Sequence, residues 1–75
     1  MSNNKTGIHE AVILAGGQVK LASALGVTQQ FISASLRRGY VPPRRALEIE
    51  VQFGIPRRRL ISPRLASLVD LPEGY

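Results

Sequence analysis

The sequence predicts an all-α fold, a compact bundle of about five short helices. Three observations predict it. Apolar residues recur three and four positions apart in several short windows. Glycine or proline interrupts those windows at intervals too short for long helices. No stretch alternates apolar with polar residues or carries an Asn-Gly type hairpin turn. With 75 residues the chain is expected to form a single domain, 1–75, with one small core. A domain of that size buries only about 60% of the surface its unfolded chain exposes, so its stability is marginal. Residues 1–5 and 70–75 are expected to be loose ends.

Thr6 is placed to N-cap a first helix, with Glu10 in its opening turn and Ala11, Val12 and Ala15 facing inward. Gly16 and Gly17 stop it. A second helix should run from about Gln18 to Leu25, because Leu21, Ala22 and Leu25 fall on one face with Gln18. Gly26 ends that helix, Val27 turns inward, and Thr28 caps a third whose buried stripe is Ile32 and Leu36. Gly39 closes it. Pro42 and Pro43 fit a loop or a first helical turn, since neither can donate the backbone N–H that a helix interior needs. A fourth helix therefore runs to about Phe53, with Ala46, Ile49 and Phe53 on one side and Gly54 at its end. Pro56 is expected to start a short fifth helix holding Leu60 and Ile61. Ser62-Pro63 repeats the cap-plus-proline start and adds a last turn or two over 64–69.

Residues 18–37 then read as a helix-turn-helix. Its core residues are Ala22, Gly26, Val27 and Ile32. The alanine lets the two helices approach closely, and Gly26 takes a positive φ that costs other residues about 1–2 kcal/mol. Val27 and Ile32 hold the second helix of the pair at a steep angle to the first. With that core fixed, Thr28, Gln29, Gln30, Ser33 and Ala34 must face outward. Their surface is neutral, short and rich in amides and hydroxyls. Such chemistry suits hydrogen bonding to base edges, and glutamine bonds adenine through two contacts at once. An ordinary cap followed by solvated residues is the competing reading of Thr-Gln-Gln.

The charge points the same way. The formal net charge is +5, and between Glu10 and Glu48 there is no acid at all, while Lys20, Arg37, Arg38, Arg44 and Arg45 fall in that interval. A one-signed stretch in a small domain favours an anionic partner, most often nucleic acid.

The stretch AGGQVKLASALGVTQQFISASLRRGYVPPRRALEIEVQFGIPRRRL, about two-thirds of the chain, resembles the Cro-type repressors of lambdoid phages and the related YdaS-like antitoxin family. The features that carry the resemblance are the Gly-Gly before the motif, LASALGVTQQ, RRGYVPP and LEIE. It implies a lambda-repressor-like bundle, binding of double-stranded operator DNA, and repression, frequently as a dimer on a two-fold site. The expected location is the bacterial cytoplasm, with the gene either carried by a phage or prophage or, for an antitoxin, chromosomal. One position departs from the family's pattern. A bulky residue, often Trp, is usual where this chain has Ser35, so Leu36 is expected to complete the packing alone.

Phosphate contacts must supply most of the affinity of such a reader. Gln18 opens the second helix, where its amide and the free N–H groups can meet a phosphate. Arg37 and Arg38 are candidates too, although a helix C-terminus favours cations by about 0.3–1 kcal/mol and capping alone would explain them. Arg44 and Arg45 are more telling, since the first turn of a helix disfavours cations by a similar amount. Tyr40 either bonds a phosphate or covers the bundle, and Arg57, Arg58 and Arg59 read equally as phosphate contacts or a solvated face. Phe31 is partial core or a contact to a thymine methyl.

An enzyme is not expected. The chain has no Cys and a single His, His9, and Glu48 and Glu50 lie two apart on different helix faces. Gly16-Gly17 lacks the preceding strand and following lysine of a phosphate-cradling loop. No cofactor, metal, small-molecule ligand or membrane partner is expected, and no apolar run approaches the ~20 residues that span a bilayer. The rival reading is an antitoxin-like protein-interaction module, gripping a partner or a second copy through the apolar tail of Leu60, Ile61, Leu65, Leu68, Val69 and Leu71.

Overall fold

Short polar side chains set several of the helix starts. The structure, a computed structural model, describes residues 6–69. The expected loose ends at 1–5 and 70–75 lie outside those residues, as do Leu71 and the side chains of Leu68 and Val69. Helix α1 spans Gly7–Ala15, α2 Gln18–Leu25, α3 Gln29–Arg38, α4 Pro43–Phe53 and α5 Pro63–Val69. A single 3-10 turn, Arg57–Arg59, precedes α5, and no strand occurs among the described residues. Thr6 accepts the His9 N–H at 3.2 Å, Thr28 the Phe31 N–H at 3.1 Å, and Ser62 the Leu65 N–H at 3.2 Å. Each bond satisfies one of the donors that a helix N-terminus leaves free.

Every helix from α1 to α4 contributes to one core. Ile8, Ala11, Leu21, Ile32, Ala46, Ile49 and Leu60 are fully buried, with Ala22, Leu25, Val41, Ile55 and Ile61 beside them. Val12, Ala15, Val27 and Phe53 pack against this cluster from its edge. The fifth element differs from the expected helix. Pro56 opens only the 3-10 turn, and Leu60 and Ile61 follow it as buried residues. The Val41 N–H donates to the Leu60 carbonyl at 2.7 Å, which fixes the loop before α4 to the end of that turn.

The α3 stripe also differs from expectation. Ile32 is buried, but the second buried residue is Ser35, three positions on, while Leu36 is only partly covered. Burying a hydroxyl is costly unless it is bonded. Here Ser35 donates to the Phe31 carbonyl at 2.9 Å, one turn back in its own helix, so the short side chain is satisfied. Phe31 and Leu36 are partly buried against the core.

Gly7 marks the tightest approach in the bundle. A Cβ built there would stand 2.5 Å from the Arg59 carbonyl oxygen and 3.0 Å from a Leu60 methyl, so the start of α1 lies directly on the 3-10 turn. Arg59 also pairs with Glu10 at 2.8 Å, and Arg57 with Glu50 at 3.3 Å. Arg57 and Arg59 therefore have acidic partners inside the fold.

Candidate nucleic-acid interface

The site is built from the end of α2 outward. A helix C-terminus leaves four carbonyls without partners, and α2 satisfies all four. Gly26, at φ 71°, sends its N–H to the Ser23 carbonyl at 3.3 Å, and the Val27 N–H reaches the Ala22 carbonyl at 3.0 Å. These two bonds make a Schellman closure, with Ala22 and Val27 in the shared core. The remaining two carbonyls are bonded from α4: Gln52 donates to Ala24 and Arg45 to Leu25, each at 3.3 Å. The turn that joins α2 to α3 is therefore fixed from both sides.

That turn delivers the face expected from the sequence. Thr28, Gln29 and Gln30 are exposed, and Ser33 and Ala34 are partly exposed on the next turn of α3. Ile32 and Ser35 point the other way into the core. Gln18, at the start of α2, lies against this face. Its side-chain carbonyl accepts the Ser33 hydroxyl at 2.7 Å. Gly17 provides no side-chain cap for α2, so the N–H groups beside Gln18 have no side-chain acceptor at that position.

The cations divide into two groups. Of the ten Lys and Arg residues, nine fall within 6–69, against three of the five acids. Each of those three acids is paired: Glu10 with Arg59, Glu50 with Arg57, and Glu48 with Arg45 at 2.8 Å. Lys20, Arg37 and Arg44 are exposed and pair with no acid among the described residues. Arg38 stacks over the Tyr40 ring, 5.6 Å from its centroid, so the partly buried Tyr40 serves at least as a platform for that guanidinium.

Arg44 is exposed at the start of α4, whereas Arg45 has a role inside the fold. Arg45 sits in the first turn of its own helix but beside the C-terminus of α2, where a cation is favoured, and it has Glu48 as a second partner. Its placement calls for no outside anion. Lys20 is exposed in a comparable position. It is a first-turn cation of α2, the same signal that singled out Arg44.

The model of the family described as bacterial toxin YdaS matches residues 8–59. The chain belongs to the YdaS family. The YdaS match takes in the helix pair and all of α4, and it stops one residue short of the buried Leu60. The family's description is of a toxin, where the sequence resemblance pointed to antitoxins and Cro-type repressors. No curated protein and no solved structure matches the chain. Among the described residues of this YdaS family member, no helix is long and apolar enough to cross a membrane.

Proposed function

We propose that the protein is a sequence-specific, double-stranded DNA-binding transcriptional repressor of Cro type, with α3 in the major groove. One observation carries this reading: α3 turns an uncharged row of amides and hydroxyls outward from a turn whose carbonyls are all bonded. Short neutral donors and acceptors suit base edges, and the exposed cations Lys20, Arg37 and Arg44 suit phosphates. A monomer presents one such helix, whereas specific binding at about 10⁻⁸ M or better generally takes more contacts. Two copies on a near-palindromic operator, with half-site centres about one helical turn apart, meet that need. No cofactor or small-molecule ligand enters this reading. Selection of bound sites from random duplexes tests it. A two-fold consensus is expected, with affinity falling steeply as salt rises. Salt-independent binding, or the absence of any consensus, would sink it.

A second reading has its own observation. A groove of about 850 Å³ runs between α4, the 3-10 turn and α5, where Pro43, Leu47, Pro56, Ile61 and Leu65 line it together with Arg44, Glu50, Arg57 and Arg58. It suits the apolar face of a protein partner, as a toxin or antitoxin module would require. Binding through its apolar residues would depend on salt far less steeply than phosphate contact does, which separates the two readings in one titration.

A further inference from the structure

We infer that Ser33 acts toward DNA as a hydrogen-bond acceptor only, and so reads an exocyclic amino group, that of adenine N6 or cytosine N4. The inference rests on the DNA-binding reading and deepens it. A serine hydroxyl has one proton and two lone pairs. The Ser33 proton is committed inward, to the Gln18 side-chain carbonyl, at 2.7 Å. That is the usual length of a well-formed O–H···O bond, and both side chains are partly buried, which limits competition from water.

What remains outward is lone-pair density. Ser33 lies on the same helical row as Gln29 and Arg37, four positions to either side. In the major groove only adenine and cytosine offer a donor, whereas guanine and thymine present acceptors and a methyl group. An unconstrained serine bonds either kind. The contact with Gln18 removes half of that freedom and turns an indiscriminate side chain into a selective one. The same bond orients Gln18. With its carbonyl engaged, its NH₂ group takes no part in this bond, and Gln18 opens a helix whose first N–H groups have no side-chain cap. A phosphate held there would anchor the amide that holds the serine, so backbone contact and base choice are coupled through one bond.

The test uses the full chain and three variants on a panel of base-substituted operators. For the parent, one position per half-site should prefer A or C, and Ser33→Ala should erase that preference, by about tenfold, at that position alone. Gln18→Leu frees the serine proton, so the same position should come to accept G and T while other positions keep their order. Gln18→Glu retains a carbonyl-type acceptor. It should weaken binding to every sequence by charge repulsion and keep the A or C preference. A merely structural role for Gln18 would move all positions together. Nuclear magnetic resonance of the free protein gives an independent readout: a slowly exchanging Ser33 hydroxyl proton, lost in Gln18→Leu. A parent preference for G or T at the Ser33 position overturns the inference, because the proton then points to the base. So does an unchanged preference in Gln18→Leu. A parent chain without salt-dependent, sequence-selective binding overturns the DNA reading itself, and this inference with it, before any variant is made.

Discussion

The Arg45 guanidinium donates to the Leu25 carbonyl at 3.3 Å, joining the first turn of α4 to the last residue of α2. The same nitrogen lies 2.8 Å from Glu48. One side chain therefore caps a neighbouring helix while its charge is balanced within its own. Arg44, its neighbour in sequence, is exposed and pairs with no acid among the described residues. Two adjacent arginines thus separate into a structural cation and an available one.

Arg45→Ala is expected to lower stability by about 1–2 kcal/mol, since it frees a helix-terminal carbonyl and strands Glu48. Arg44→Ala should leave stability level or raise it by about 0.3–1 kcal/mol, having removed a cation from a helix N-terminus. Urea unfolding of both variants measures this. On DNA the order reverses: Arg44→Ala should reduce the salt slope by about one per half-site, and Arg45→Ala by less. Equal effects in both assays would mean that the division between them is wrong.

Gln29→Ala and Gln30→Ala are expected to lower operator affinity by about one to two decades, from the roughly 1–3 kcal/mol of a lost bidentate base contact. Affinity for random duplexes should hardly move, because phosphates do not sense these amides. Competition of operator against random DNA reads the ratio directly. An undiminished ratio in both variants would remove α3 from the base edges.

Substitutions at Gly26 isolate backbone strain. A Cβ there meets nothing within 4 Å, so the cost comes from the positive φ alone. Gly26→Ala should cost about 1–2 kcal/mol, Gly26→Asn less, and the β-branched Gly26→Val more. In Gly26→Val, operator and random affinity should fall together as the turn loses its shape. Thermal melts that rank the three variants otherwise would point to a crowded site instead.

Gly7→Ala is expected to destabilise through contact instead of φ. The added methyl would collide with backbone at Arg59, which cannot rotate away as a side chain would. A cost of about 1–3 kcal/mol follows from overpacking of this kind. A melting temperature equal to the parent's would show that α1 and the 3-10 turn separate easily.

Much of the fold was legible because its punctuation is local. The caps Thr6, Thr28 and Ser62, and the stops Gly16, Gly26, Gly39 and Gly54, act through neighbours three to five residues away, within the span of a sequence window. The outward row of α3 followed from Ile32 and the turn. What escaped depends on residues distant in sequence. Arg45 reaches Leu25 twenty positions back, Gln18 reaches Ser33 fifteen ahead, and Gly7 lies against Arg59. Ser35 was a different kind of miss. The expectation rested on Leu36 because Ser35 stands where a bulky residue is usual, yet Ser35 is the buried one, and its bond to Phe31 makes that burial acceptable.

The position of Leu60 has a consequence for how small a working fragment can be. The stretch shared with the YdaS family ends at Arg59, yet Leu60 is fully buried and Ile61 nearly so. A piece cut at 59 would give up burial worth about 1.5–3 kcal/mol per side chain. It would also leave the Val41 N–H without the carbonyl it now meets at 2.7 Å. Against a total stability that for a chain this short lies near 5 kcal/mol, those losses are enough to unfold it. The boundary of likeness therefore falls short of the boundary of autonomous folding, which lies beyond Ile61.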